Sequence, residues 1–456
     1  MAERKKALNA VINQIRKSDV QKVKVAVTDI DGILRGKYIH KDKFLSAVES
    51  GFGFCNVVFG WDSSDVCYDN SNYTGWHSGY PDALARIDLN TFRRVPWDDN
   101  VPFFLADFED AKGEPLGVCP RQVLKKVLGR AKKAGFKAYT GMEFEWFNFQ
   151  ETPQSWAQKN YAAPEPLSPG MFGYSVLRMS QNQPFFAAIM DELRAFNVPI
   201  EGLHTETGPG VFEAAILFSE ALESADRGVL FKSAVREIGA RFGIMPSFMA
   251  KWNAKLPGCS GHTHVSLWNS AGTKNLFYDE KARNKMSPIF KSYLAGHLKY
   301  LPEILPFFAP TVNSYKRLVD GYWAPTKPTW AVDNRTVAFR VIPGSSKSTR
   351  LEVRVPGSDV NPYLAVAASI AAGLYGVEKN LKLTDDPVEG SGYHADKPRL
   401  ARNLYESTMI MSESKVAREL FGDEFVDHFV RTRLWEWRQF QDTVTGWELQ
   451  RYFEII

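Results

Sequence analysis

Met142-Glu143-Phe144-Glu145-Trp146 is the stretch from which the rest of this chain can be read. Side chains of a β-strand alternate between its two faces, so Glu143 and Glu145 project to the same side. The flanks carry Tyr139, Phe147 and Phe149, the aromatic residues that strands favour. Two carboxylates side by side on a half-buried face repel each other unless positive charge lies between them. Hard divalent cations such as Mg²⁺ and Mn²⁺ take carboxylate oxygens. For this pentapeptide alone, a surface strand with solvated acids is the alternative.

Two further clusters follow. His204-Thr205-Glu206-Thr207-Gly208-Pro209-Gly210-Val211-Phe212-Glu213 reads as a strand, a tight reversal and a returning strand. A hairpin symmetric about Pro209-Gly210 sets Glu206 opposite Glu213; a salt-bridged hairpin is the alternative. In Gly261-His262-Thr263-His264-Val265-Ser266, the residues His262, His264 and Ser266 share one strand face. A His-x-His pair suits zinc, but no third nitrogen or sulfur ligand is near in sequence. Gly258-Cys259-Ser260-Gly261 is not a nucleophile elbow, and no base is placed for it by spacing. Arg350-Leu351-Glu352-Val353-Arg354 alternates charge along one face, as ion pairs or as anion-binding groups. Arg317, Arg335, Arg340 and Arg354 fall within one short region, and guanidinium forks match carboxylates and phosphates.

The 456 residues are enough for two or more domains. Apolar content of 44% and charged content of 24% are those of an ordinary soluble protein, and a net charge of +4 argues for neither nucleic acid nor a membrane surface. The four cysteines (Cys55, Cys67, Cys119 and Cys259) are unpaired in sequence and fit a reducing, cytoplasmic setting. Met1 to Lys17 lacks the apolar core of a signal peptide, and the most apolar run, Leu364 to Val377, is too short to span a bilayer.

Residues 4–17 have helical periodicity. Val23, Val25 and Val27 alternate as a strand, Asp31-Gly32 marks a hairpin turn, and Leu34 to Ile39 returns. Phe54 to Val58 and Phe103 to Asp107 are further strand candidates, separated by the turn-rich stretch Trp61 to Pro81, an exposed linker or a ligand loop. Pro120 starts a helix that Gly135 closes. Helices are expected over Phe185 to Phe196, from a cap at Ser219, and from Asn361-Pro362 to about Glu378. The remainder reads as helices whose Trp435, Trp437 and Trp447 belong to the core.

Taken in order, Glu-x-Glu, His-x-Glu with Gly-Pro-Gly and a second Glu, Gly-x-His-x-His-x-Ser, Asn313-Ser314-Tyr315-Lys316-Arg317-Leu318, Asn334-Arg335 and Arg350-Leu351-Glu352-Val353-Arg354…Asn361-Pro362 resemble the glutamine synthetase superfamily, type I branch. The C-terminal Trp447-Glu448 and Arg451-Tyr452 share that likeness, which spans nearly the whole chain. The resemblance implies an α+β fold with an N-terminal β-grasp-like domain (1–117). A C-terminal, guanido-kinase-like catalytic domain with an antiparallel sheet (118–456) follows. It also implies a homo-oligomer of two stacked hexameric rings with active sites between subunits. Glu145, Glu206 and Glu213 match the ligands of the metal nearer glutamate, and Glu143, His262 and Glu352 those of the metal nearer the nucleotide. Arg317 and Arg354 match residues on the glutamate carboxylate and the transferring phosphate, and Gly258 a backbone contact to glutamate. Arg335 and Arg340 match the arginines on the ATP phosphates, and His264 and Ser266 align with nucleotide-site positions. The implied cofactors are Mg²⁺ or Mn²⁺, with ATP as cosubstrate, in the formation and aminolysis of γ-glutamyl phosphate.

Three positions depart from the family pattern. Trp323 stands where glutamine synthetase proper has a Glu that binds and deprotonates ammonium; an indole cannot take a proton. Val211 replaces the usual Gln in the hairpin, and Pro257 replaces the Asn before Gly258. Asp62 is the candidate partner acid of the ammonium pocket, with Asp65 as the alternative. The expectation is therefore a γ-glutamyl–amine ligase with Trp323 facing an organic amine. The alternatives are a true glutamine synthetase using ammonia, a relative activating another acid, and a non-catalytic structural or sensing member.

Overall fold

A computed structural model describes residues 2–456, with side chains from Leu8 onward. Its strands form two sheets. The first holds β1 (Lys22–Thr28), β2 (Leu34–His40), β3 (Phe52–Cys55), β4 (Asp82–Ile87), β5 (Arg93–Val95) and β6 (Val101–Glu109), in the order β2-β1-β6-β4-β3 with β5 beside β6. β1 is antiparallel to β2 and parallel to β6. The helix Lys41–Ser50 covers this sheet through Phe44, which stacks on Phe104 with ring centres 4.9 Å apart. The turn around Asp31-Gly32 is built by Asp29, whose carboxylate accepts from the amides of Asp31 and Ile33 at 3.0 and 2.9 Å. The strand expected over Phe54 to Val58 stops at Cys55, and Asn56–Phe59 winds into a 3₁₀ turn. There Asn56 accepts from the Thr74 hydroxyl at 2.6 Å, so a side chain holds the backbone where it leaves the sheet.

The second sheet holds β7 (Phe136–Phe149), β8 (Ile200–Thr205), β9 (Val211–Ile216), β10 (Ser219–Glu220), β11 (Met245–Ser247), β12 (Gly261–Asn269), β13 (Trp330–Val332), β14 (Phe339–Ile342) and β15 (Arg350–Val353). Its order is β13-β14-β15-β12-β7-β9-β8, with β10 and β11 also on β7. Only β13 and β14 pair in parallel. The fold is α+β, as the resemblance implied.

β7 is central because its two faces differ. Met142, Phe144 and Trp146 enter the core, where the Trp146 and Phe231 rings stand 5.5 Å apart and the Phe144 and Phe248 rings 6.1 Å apart. Such aromatic pairs each contribute about 0.5–1.5 kcal/mol beyond area burial. The helices Pro120–Lys133, Ala221–Arg241 and Pro362–Glu378 pack together behind this face. Pro362–Glu378 is apolar all round, which is tolerable only for a buried helix, and Asn361 caps it by accepting from the Tyr363 amide at 3.0 Å.

Two expectations are corrected here. Ser219 is not a cap: it pairs with Thr140 across β10 and β7, and the helix begins at Ala221 without a side-chain cap. Trp447 is 60% exposed rather than in the core, on the short C-terminal helix Gly446–Tyr452, whereas Trp435 is buried.

Candidate functional site

Strand register assembles the acidic residues. Antiparallel neighbours directly opposite each other share a face. Across β7 and β12 Glu143 stands opposite His262, and across β12 and β15 His264 stands opposite Glu352. Across β7 and β9 Glu145 stands opposite Glu213, whose partner on β8 is His204. The hairpin expected to pair Glu206 with Glu213 is therefore centred one residue earlier. The Glu206 amide donates to the Val211 carbonyl at 2.9 Å, and Glu206 lies beyond the last pair of the ladder. Gly210 is needed for this reversal: its φ is +69°, and a Cβ there would meet the Asn148 carbonyl at 2.5 Å.

Two sets of ligand atoms result, each lying within 4.8 Å of one another: Glu143, His264 and Glu352, and His204, Glu206 and Glu213. His262 touches the first set, its Nδ1 standing 3.5 Å from both Glu143 Oε2 and Glu352 Oε1. Glu145 borders the second set, its carboxylate accepting from the Ser260 amide at 2.8 Å. The geometry thus brings together all six residues matched to metal ligands and adds His204 and His264. His204 was legible in principle: it lies two residues before Glu206, on the same face.

Charge is unbalanced in the second set. Burial, then Glu145, Glu143 and Glu206, push the Glu213 carboxyl up to about 11. Burial, opposed by Arg317 and aided by Glu206, takes Glu145 up to about 7. In the first set the balance tips the other way. Against the cost of burial, Arg354 and the two histidines draw Glu352 down to about 2. Burial and Arg354 lower His262 to about 4, leaving a neutral imidazole of the kind that ligates metals. Among the described residues its Nε2 is buried without a hydrogen-bond partner, as is Glu206 Oε2, which lies 3.9 Å from His204 Nδ1. Carboxyls that retain protons for want of positive charge, beside orphaned ligand atoms, fit divalent cations.

The arginines border this row. Arg354 pairs with Glu352, and Arg340 donates to the other Glu352 oxygen at 2.8 Å. Arg317 is buried and spends its guanidinium on the Val355 carbonyl (2.8 Å), the Ser260 hydroxyl (2.8 Å) and the Arg354 carbonyl (3.2 Å). Gly258 packs against it so closely that a Cβ would meet the Ala250 carbonyl at 2.4 Å and Arg317 Cγ at 2.9 Å. Arg354 Nε donates to the Arg335 carbonyl at 3.1 Å. A cavity of about 480 Å³ opens beside the first set; Glu143, His264, Ser266, Arg335 and Arg340 line it, with Tyr139 and Trp268 as aromatic walls. Arg350, read as an ion-pair or anion group, donates instead to His264 Nδ1 at 3.1 Å and so orients that ring.

Trp323 and Asp62 lie outside the strands. Trp323 lies in a loop with φ +62° and is 55% exposed. Asp62 accepts from Trp435 Nε1 at 2.9 Å and from the amides of Ser64 and Val66; none of these contacts reaches the other candidates. Asp65 pairs with Arg35 at 2.7 Å. No helix among the described residues is long and apolar enough to cross a membrane.

Residues 117–452 match the family model "Glutamine synthetase, catalytic domain". The chain is 58% identical to type-1 glutamine synthetase 2 of Dictyostelium discoideum, with 100% of this chain and 88% of that one aligned. It is 36% identical to glutamate–isopropylamine ligase of a Pseudomonas species, over 100% and 99% of the two chains. The solved structure of GmaS in complex with ADP superposes with a TM-score of 0.85 at 27% identity, covering 97% of this chain and 99% of that one.

Proposed function

The chain belongs to the glutamine synthetase family of ATP-dependent ligases, and on that premise we propose that it joins the γ-carboxylate of glutamate to an organic amine. The observation that carries the reading is Trp323 in Asp320-Gly321-Tyr322-Trp323, at the position where the resemblance implies a Glu in ammonia-using members. The glutamate–isopropylamine ligase, similar along the whole chain, supports the substrate class.

In this reading a γ-carboxylate oxygen of glutamate bonds to the γ-phosphorus of ATP while the bond to ADP breaks. The amine nitrogen then bonds to the acyl carbon, phosphate leaves, and the nitrogen gives up a proton. Glu143, His262 and Glu352, with His264 beside them, hold one Mg²⁺ or Mn²⁺, and Glu145, Glu206 and Glu213, with His204, hold another. Such ions supply the positive charge that lets a phosphoryl group approach a carboxylate. Arg335 and Arg340 bind the ATP phosphates, with His264 and Ser266 on the nucleotide side. Arg317 and Arg354 orient the carboxylate and the phosphate in transfer, and Gly258 offers its backbone to glutamate. Trp323 supplies a flat apolar wall for the alkyl part of the amine and keeps water from the acyl phosphate.

The same reading divides the chain near Gly117 into an N-terminal unit (1–117) and a catalytic unit (118–456). It also assigns Asp62 to the site of a neighbouring subunit in stacked hexameric rings, which suits its lack of contact with the other candidates within one chain.

A second reading, a glutamine synthetase using ammonia, is favoured by the 58% identical Dictyostelium relative. Phosphate release from ATP with glutamate and Mg²⁺ separates the two. The panel is ammonia, methylamine, ethanolamine, isopropylamine, aniline and polyamines, with product mass measured. Turnover with one organic amine well above ammonia is expected; best turnover with ammonia overturns the amine reading.

A further inference from the structure

The loop that carries Trp323 rests on a residue outside every motif above. Lys251 follows Ala250, whose carbonyl accepts from the Cys259 amide at 2.8 Å. Asn313 clasps the Lys251 backbone: the Lys251 amide donates to Asn313 Oδ1, and Asn313 Nδ2 donates to the Lys251 carbonyl, both at 2.8 Å. Asn313 directly precedes the helical turn Ser314–Arg317. Lys251 is therefore clasped by the residue that precedes the Arg317 turn, and its neighbour Ala250 packs against Gly258.

The Lys251 side chain has an unusual partner. The residue is 5% exposed, and its ammonium lies 4.0 Å from the centre of the Tyr322 ring. Among the described residues no carboxylate forms an ion pair with it. Burial and the nearby Arg317 both lower its pKa, as befits a cation without a counter-ion. A ring face attracts a cation most strongly where water is excluded, so this contact is a substantial part of what holds Tyr322.

Tyr322 adjoins Trp323, and the loop around them adopts backbone angles that need outside support: φ is +84° at Gly321 and +62° at Trp323. One end is tied by Asp320, which accepts from Thr326 at 2.6 Å and Arg399 at 2.7 Å. In its middle, Tyr322 rests on Lys251, the Trp323 backbone meets Tyr393, and Ala324 is buried in the core just beyond.

We infer that Lys251 is a positioning residue for the amine: its ammonium beneath Tyr322 locks the 320–326 loop and thereby sets where Trp323 stands relative to Arg317 and Arg354. The inference rests on the reading that this loop lines the amine pocket. Lys251 acts through Tyr322 and needs no contact with the reacting atoms.

The test uses the full-length protein and the variants Lys251→Met, Lys251→Arg, Tyr322→Leu, Tyr322→Phe and the double variant Lys251→Met/Tyr322→Leu. Hydrogen–deuterium exchange across residues 318–327 is read alongside KM and kcat for the preferred amine. Lys251→Met and Tyr322→Leu are expected to speed exchange in the loop and raise KM for the amine about tenfold while kcat stays within about twofold. Lys251→Arg and Tyr322→Phe keep a cation and a ring and restore both readouts. The double variant is no worse than either single one, because both remove the same contact. Unchanged exchange in Lys251→Met, or losses that add in the double variant, overturns the inference. A raised KM for glutamate with an unchanged loop also overturns it, since Lys251 then touches the acid directly. If Lys251→Met does not fold, Tyr322→Leu against Tyr322→Phe decides from the ring side. If the wild type prefers ammonia, the amine-ligase reading falls on its own, and the lock is judged by exchange and by KM for ammonia.

Discussion

Glu143, Glu145, His262 and Glu352 stand on adjoining strands of one sheet, while Trp323 stands on a loop that is half exposed and in left-handed backbone conformation. The first group is over-determined. Each side chain is aimed by strand alternation, by its cross-strand partner and by the packed aromatic face behind β7. The second is held by Tyr322 on Lys251 and by Asp320 at the loop's start. Phosphoryl transfer depends on charges placed within fractions of an ångström, which rigid strands supply. In the proposed reading, choice of nucleophile depends on one wall, which a loop can change without disturbing the sheet.

The strongest test of that contrast is Glu352→Gln. It removes a buried charge that Arg340 and Arg354 both engage, and turnover should fall by about 10³ with every amine, ammonia included. A loss confined to organic amines would break the division. Metal dependence comes next. Mg²⁺ at a hundred times its dissociation constant should stabilise the folded protein by about 2.7 kcal/mol. The accompanying rise in melting temperature should shrink in Glu213→Gln and persist in Trp323→Glu. Gly258→Ala lies where the two regions meet. A methyl group driven into the Ala250 carbonyl and Arg317 should cost about 1–3 kcal/mol of stability and raise KM for glutamate more than for the amine; urea unfolding and steady-state kinetics read both. The smallest effect belongs to the loop. Trp323→Glu should shift the ammonia-to-amine ratio of kcat/KM about tenfold toward ammonia, the scale of one charged or ring contact. An unchanged ratio in a folded protein would show that Trp323 only fills space.

Local sequence signals carried far where physics is local. The period of two placed Glu143 with Glu145 and His262 with His264, because a pleated strand leaves no choice of face. Asn361-Pro362 and Gly135 marked helix ends because caps are set by backbone geometry over a few residues. Ser219 failed as a cap because pairing with Thr140 on β7 competed for the same residue. The hairpin centre was missed by one position because Gly208 and Gly210 both permit the reversal, and the β8–β9 ladder chooses between them. Trp447 was misplaced because burial depends on what lies opposite, which composition does not state.

By itself, the sequence determined which residues share a face, the order of the motifs, and through their resemblance the family and its charge-rich chemistry. Only the tertiary structure decided which faces meet. It set His204 opposite Glu213 and His264 opposite Glu352, brought Arg317 against Gly258, and laid Tyr322 on Lys251, a residue that no motif singles out. The reason is one of range. Alternation and capping act over a few bonds, whereas register and ring-on-cation contacts join segments as far apart in sequence as Glu143 and His262 and are settled when the sheet closes on its core.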